Sequence, residues 1–226
     1  MINDPWKQLR SECFGNIEPT VILTAITNPM GDINAEELPA LSASVSYGSE
    51  IKGIAGAKSL NRKLIKMRHD TPLESIQFNF NVSGISKICG AQLSRHRIGQ
   101  GHVSGSRRFR KQGNLFVYPL LDYVKTADEA EHLYWVMSAS IRDSMDYYNQ
   151  LIQGAVGVKK ADARYLIPAS TATERNWWIN ARALREFFRL RLAPDAEWEI
   201  RRLAEMVMNI VEPLAPSLFE DFIEEV

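Results

Sequence analysis

The sequence predicts an α+β fold, a mixed sheet with long helices, and three observations carry that expectation. The 226 residues are 45% hydrophobic and 24% charged, the usual mix of a globular protein. Several segments repeat apolar residues near the helical period of 3.6, while others are β-branched or alternate between apolar and polar. A chain of this length buries roughly 70–75% of the surface its unfolded form exposes, so it builds a core without disulfide staples. With no internal repeat and no low-complexity linker, one domain over 1–226 is expected.

Val21 to Thr27 is a β-branched apolar run that stops at Asn28-Pro29 and reads as a strand. Gly48 to Met67 reads as a helix, with Ile54, Leu60, Leu64 and Ile65 near helical spacing. In Ser75 to Ser83, Ile76, Phe78, Phe80 and Val82 alternate with Gln77, Asn79 and Asn81, the pattern of a half-buried strand. Ser86 to Arg97 reads as a short helix placing Cys89, Gln92 and His96 on one face. Gly99, Gly101 and Gly105 argue for a loop over Ile98 to Ser106. Thr126-Ala-Asp-Glu129 is a capping box opening a long helix. That helix carries Leu133, Val136, Met137, Ile141, Met145, Tyr148, Leu151 and Ile152 and stops near Gly154. Thr171 to Ile179 reads as a strand, and Asn180 as the cap of a helix to about Leu192 that Pro194 ends. A last helix, Ala196 to Glu212, carries Leu203, Met206, Val207, Ile210 and Val211 and ends at Pro213.

The 27 basic and 27 acidic residues cancel, which argues against a general nucleic-acid coat. Cys13 and Cys89 are too few for a disulfide framework and are not spaced as a zinc site, so no metal is expected. The start, Met1-Ile2-Asn3-Asp4-Pro5-Trp6, does not read as a signal peptide. No apolar run approaches the ~20 residues of a membrane helix. A cytoplasmic protein with no membrane or nucleic-acid partner is expected.

Residues 95–111 break the neutral balance. Arg95, Arg97, Arg107, Arg108, Arg110 and Lys111 are six cations, joined by His96 and His102, with no acid among them. Arginine forks match phosphate oxygens bidentately, and glycines let backbone N–H groups approach an anion. Ser104 and Ser106 add hydroxyl donors. The stretch therefore suits a phosphorylated ligand, although a solvated basic loop has the same composition. Phe109 is its only aromatic, poor support for base stacking.

Order and spacing here resemble the flavin-dependent thymidylate synthases, whose signature is R-H-R, seven residues, then S, often followed by x-R. Arg95-His96-Arg97 supplies the opening; with one residue inserted, Ser106-Arg107-Arg108 supplies the tail, and Phe109 stands where tyrosine is common. Gln100 replaces a serine usual in this loop, and the acid many members carry there has no counterpart. Ala43-Ser44-Val45-Ser46 is similar to the family's A-R-V-S, with Ser44 for arginine. His69-Asp70-Thr71-Pro72-Leu73-Glu74 is similar to H-x-T-P-x-E, Ala163 to Pro168 to A-R-x-x-L-P, Asn180 to Leu184 to N-x-R-x-L, and Ala196 to Arg201 to A-Q-W-E-I-R. The pieces run in family order over about 20–222.

The resemblance implies a flavin-dependent thymidylate synthase-like fold and methylation of dUMP to dTMP. Methylenetetrahydrofolate would give the carbon, and FAD reduced by NADPH the hydride, without a cysteine nucleophile. It implies FAD contacts at His69, Thr71, Arg95, His96, Arg97, Asn180 and Arg182. It implies nucleotide contacts at Gln92, Arg95, Ser104, Gly105, Ser106, Arg108, Arg164 and Arg191, with Arg191 beside the uracil as the catalytic cation. It also implies a homotetramer with shared flavin sites. Plainer roles stand beside these: Arg182 and Arg191 pairing with Glu186 or Asp195, Arg164 capping its own short helix, and Trp177 and Trp178 packing. Glu186 stands where the family often has an amide and is left out of the set. Because the loop departs from the pattern, UMP or another pyrimidine nucleotide, with methylation or hydroxymethylation, is the alternative. A third reading is a non-enzymatic nucleotide or RNA binder.

Overall fold

Strict alternation produces the best-defined strand. In the computed structural model, which describes residues 4–48, 50–106, 108–109, 111 and 113–224, Ile76, Phe78, Phe80 and Val82 are all buried while Gln77 is exposed. Of the residues carrying expectations above, 1–3, 49, 107 and 110 lie outside the described ones. The strands are β1 (Thr20–Ile26), β2 (Gln77–Ser86), β3 (Gln100–Ser104) and β4 (Ala172–Asn180), in one sheet of order β1-β2-β4-β3. The helices are α1 (Lys7–Ser11), α2 (Leu38–Tyr47), α3 (Gly53–Lys66), α4 (Lys87–Leu93), α5 (Ala127–Gln153), α6 (Lys160–Ala163), α7 (Ala181–Arg191), α8 (Trp198–Val211), α9 (Pro216–Phe219) and α10 (Asp221–Glu224). This mixture of helix and sheet is the α+β class expected.

The predicted helix from Gly48 divides differently. Gly48 adopts φ +57 and closes α2, a left-handed cap that glycine takes without steric cost; α3 then begins at Gly53. The predicted helix to Arg97 stops at Leu93. Ser86 caps it by accepting from the Cys89 N–H at 3.0 Å, and His96 lies beyond its end, so Cys89, Gln92 and His96 share no helical face. The predicted loop from Ile98 contains β3, because Gly101 is a close-approach glycine: a Cβ there would lie 2.5 Å from the Trp178 ring. On α5 the buried stripe is Ala130, Tyr134, Ile141, Met145 and Tyr148, while Val136 and Leu151 point outward. Beyond Pro213, α9 and α10 add turns that the sequence pattern did not announce.

The chain forms two compact units that alternate along the sequence. The first comprises 1–20, 82–94 and 103–175; the second, 21–81, 95–102 and 176–226. In the first, the α5 stripe packs with Phe116, Tyr118, Leu121 and Ile167. The buried phenols are satisfied, Tyr134 donating to the Pro119 carbonyl at 2.8 Å and Tyr118 to that of Phe14 at 2.9 Å. In the second, a run of aromatics forms the core. Ring centroids of Phe80 and Trp177 lie 5.4 Å apart, Trp177 and Phe187 5.3 Å, Phe187 and Phe188 5.9 Å, and Phe188 and Phe219 5.7 Å.

Candidate active site

Asn180 ends β4 and opens α7. Its side-chain oxygen accepts from the Ala183 N–H at 2.9 Å, and its own N–H donates to the Gly99 carbonyl at 2.9 Å. The strand-to-helix corner is thereby tied to the segment that follows Arg95-His96-Arg97. Gly99 sits at φ +68, and a Cβ there would come within 2.6 Å of the Asn180 amide. From this corner α7 directs Arg182, Glu186 and Arg189 along one face, as spacings of four and three require.

These residues line a cleft of about 380 Å³ in the second unit, together with Asp70, Glu74, His96, Arg97, Ile98 and Arg185. That volume falls at the small end of ligand sites. Most of its arginines are already compensated. Arg182 pairs with Glu74 at 2.5 Å, Arg189 with Glu186 at 2.9 Å, and Arg185 with Asp221 at 2.7 Å. Arg97 pairs with no carboxylate among the described residues, so it is the cation left for an incoming anion. His96 turns its ring edge-on to Phe187 at 5.2 Å and accepts from Nε of Arg191 at 3.0 Å. Burial, and then the positive charge of Arg191, hold its pKa below the usual histidine value, with Glu186 pulling upward. A neutral imidazole results.

Of the seven expected flavin contacts, the cleft gathers His96, Arg97, Asn180 and Arg182. His69 and Thr71 line a second cleft of about 310 Å³ with Ser42, Ala43, Ser46, Leu64, Pro72 and Ser75. Arg95 is exposed and lines neither. Arg191 reaches the first cleft only through His96, and it and Arg182 take partners other than the Asp195 and Glu186 that sequence proximity offered. Gln92, Ser104, Gly105, Ser106, Arg108 and Arg164 belong to the first unit. There Ser104 to Ser106 and Arg108 are exposed, and the buried Oε1 of Gln92 has no hydrogen-bond partner among the described residues. Arg108 and Arg164 lie over their neighbouring rings, Phe109 at 5.8 Å and Tyr165 at 6.0 Å. Trp177 is fully buried, as a packing residue should be. Asp70, Arg189 and the acid Glu186 are cleft residues that the sequence reading left out; only their neighbours in the motifs pointed to them.

Neither cysteine forms a disulfide among the described residues, Cys89 being buried and Cys13 half-buried. Burial pushes the Cys13 thiol up to about 11, the opposite of an activated nucleophile. Among the described residues no group of His, Cys, Asp and Glu is placed to hold a metal ion, and no helix is long and apolar enough to cross a membrane.

Comparison with known proteins places the chain among its relatives. The model of the thymidylate synthase complementing protein family matches residues 30–217. The flavin-dependent thymidylate synthase of Thermosipho melanesiensis is 32% identical over 206 residues, 85% of this chain and 88% of its own. That of Geobacter sulfurreducens is 30% identical over 193 residues, 82% and 81% of the two chains. That of Thermosipho africanus is 32% identical over 208 residues, 85% and 89%. The chain belongs to this family of enzymes, the flavin-dependent thymidylate synthases.

Proposed function

We propose that the protein methylates C5 of dUMP to give dTMP, taking the carbon from methylenetetrahydrofolate and using FAD reduced by NADPH. The observation that carries the reading is the cleft joining His96, Arg97, Asn180 and Arg182, in a chain whose relatives are named for this activity. The cleft suits one portion of a flavin dinucleotide. Arg97 has no carboxylate partner among the described residues and offers a bidentate fork to a diphosphate. Neutral His96 offers an uncharged edge to a ring system. When bound, the flavin supplies hydride chemistry.

The remaining assignments follow the family's motif order. His69, Thr71 and Arg95 complete the flavin contacts. Gln92, Arg95, Ser104, Gly105, Ser106, Arg108 and Arg164 hold the nucleotide, where Oε1 of Gln92 can accept from an imide or hydroxyl donor. Arg191 is the catalytic residue in this reading: its Nε is spent on His96, which leaves its two terminal nitrogens to stabilise charge developing on the pyrimidine ring. The family resemblance makes a homotetramer with flavin sites shared between copies part of the reading. Sedimentation of the flavin-loaded protein should give four times the 25.6 kDa chain mass. One functional domain embracing both units and a cytoplasmic setting are included, the latter suited to two cysteines that form no disulfide among the described residues.

Tritium release from C5-labelled nucleotide tests the chemistry. The protein is given FAD, NADPH and methylenetetrahydrofolate with dUMP or UMP in parallel. Release from dUMP alone is expected. Release from UMP alone would transfer the function to a ribonucleotide and make the Gly105 loop the specificity element. Flavin bound without release from either would overturn the reading.

A further inference from the structure

The segment from Arg95 to Gly99 has no regular secondary structure, yet His96, Arg97, Ile98 and Gly99 form one wall of the cleft. Something outside the segment must hold it. The residue that follows, Gln100, begins β3, and its Oε1 accepts the indole Nε1–H of Trp177 from β4. Trp177 is fully buried, so this amide satisfies a donor that water does not reach. The same indole packs against Phe187 at 5.3 Å, and Phe187 meets the His96 ring at 5.2 Å. Trp177 is therefore linked to both flanks of the wall, to Gln100 just beyond Gly99 by a hydrogen bond and to His96 through the Phe187 ring.

Neighbouring contacts give the same register. Gly101 lies against Trp178, and the Gly99 carbonyl accepts from the Asn180 N–H at 2.9 Å. Gln100, Gly101 and Gly99 thus dock on Trp177, Trp178 and Asn180 of one strand. Neither Gln100 nor Trp177 lines the cleft. Their effect on a ligand would pass through the backbone of 96–99 and the orientation of the His96 ring.

We propose that Trp177 and Gln100 are positioning residues that hold the His96–Gly99 wall in its ligand-ready shape. The inference rests on the reading of this cleft as the flavin site and adds what keeps that site preorganised. Gln100, in place of a smaller hydroxyl side chain, is long enough to reach an indole in the core; a serine there has one carbon between backbone and oxygen and falls short.

The test compares Trp177→Phe, Gln100→Leu and Gln100→Glu with the unaltered full chain. Phenylalanine keeps an aromatic ring and deletes the N–H; leucine deletes the acceptor; glutamate keeps an acceptor of the same reach. FAD affinity is read by quenching of flavin fluorescence, and the His96 titration by the Hε1 proton resonance without flavin. Trp177→Phe and Gln100→Leu should each weaken FAD binding about tenfold and move the His96 midpoint up as water reaches the ring. Gln100→Glu should restore most of the FAD affinity, while its added negative charge keeps the His96 midpoint up. Folding is checked by circular dichroism well below the melting temperature. A merely structural bond would lower melting temperature and leave affinity and midpoint unchanged, which would overturn the proposal. If the unaltered protein takes up no FAD, the flavin reading falls, and the His96 midpoint decides the clamp alone.

Discussion

Nε of Arg191 donates a hydrogen bond to Nε2 of His96 at 3.0 Å. An imidazole nitrogen accepts only when it carries no proton, so this contact requires neutral His96 with its hydrogen on Nδ1. Burial of the ring is the larger cause of that neutral state, and the Arg191 cation on the last turn of α7 adds to it.

The first prediction concerns pH. The His96 midpoint should lie below its ordinary 6.5, and Arg191→Met should raise it by removing a neighbouring cation. Because the folded value is depressed, the unfolded chain takes up the proton first. The stabilising contribution is whole above about pH 6.5 and is lost as pH falls through the folded midpoint. Urea midpoints at about pH 7.5 and 5.5 check the sign. The drop on acidification should be smaller in His96→Gln than in the unaltered protein, and an equal drop would contradict it.

Asn180 has two expected jobs, and substitution separates them. As the cap of α7 it accepts from the Ala183 N–H, so Asn180→Ala should cost about 1 kcal/mol. Aspartate caps equally well, and Asn180→Asp should leave the denaturation midpoint nearly unchanged. Its added negative charge in the cleft should still weaken FAD binding if Asn180 touches the cofactor. Equal affinity in the aspartate variant would confine Asn180 to capping.

Gly101→Ala should destabilise by about 1–3 kcal/mol, since its Cβ must displace the Trp178 ring. Trp178 is partly exposed, and truncating it opens that space. In the double variant with Trp178→Ala, the added cost of the alanine at 101 should largely vanish, measured as the coupling in a double-mutant cycle. Additive effects would mean that the ring moves aside freely.

Neither thiol should be needed for turnover. Cys13→Ser and Cys89→Ala should each retain tritium release, with any loss traceable to stability, because burial keeps Cys13 protonated at neutral pH. In native protein both thiols should react with a disulfide reagent far more slowly than after unfolding. Abolished release in a folded Cys13 variant would point to covalent chemistry instead.

Local signals in the sequence were enough for the α+β class, the buried face of β2 and the caps at Thr126 and Asn180, because each depends on residues only a few positions apart. Motif order likewise singled out Arg95-His96-Arg97 and Asn180-Ala181-Arg182. What escaped depends on pairing across the chain. The three glycines after Arg97 read as a loop until Trp178, far along the sequence, shows Gly101 to be the place where a ring lies against a strand. The partner of Arg182 is Glu74, 108 positions away, rather than the nearby Glu186. The bond between Gln100 and Trp177 spans 77 positions. Propensity and capping are properties of neighbours, so the sequence alone determined where elements form and which faces are apolar. Cleft walls, ion-pair choice and the protonation of His96 are decided by burial and by groups that only the tertiary fold brings within reach.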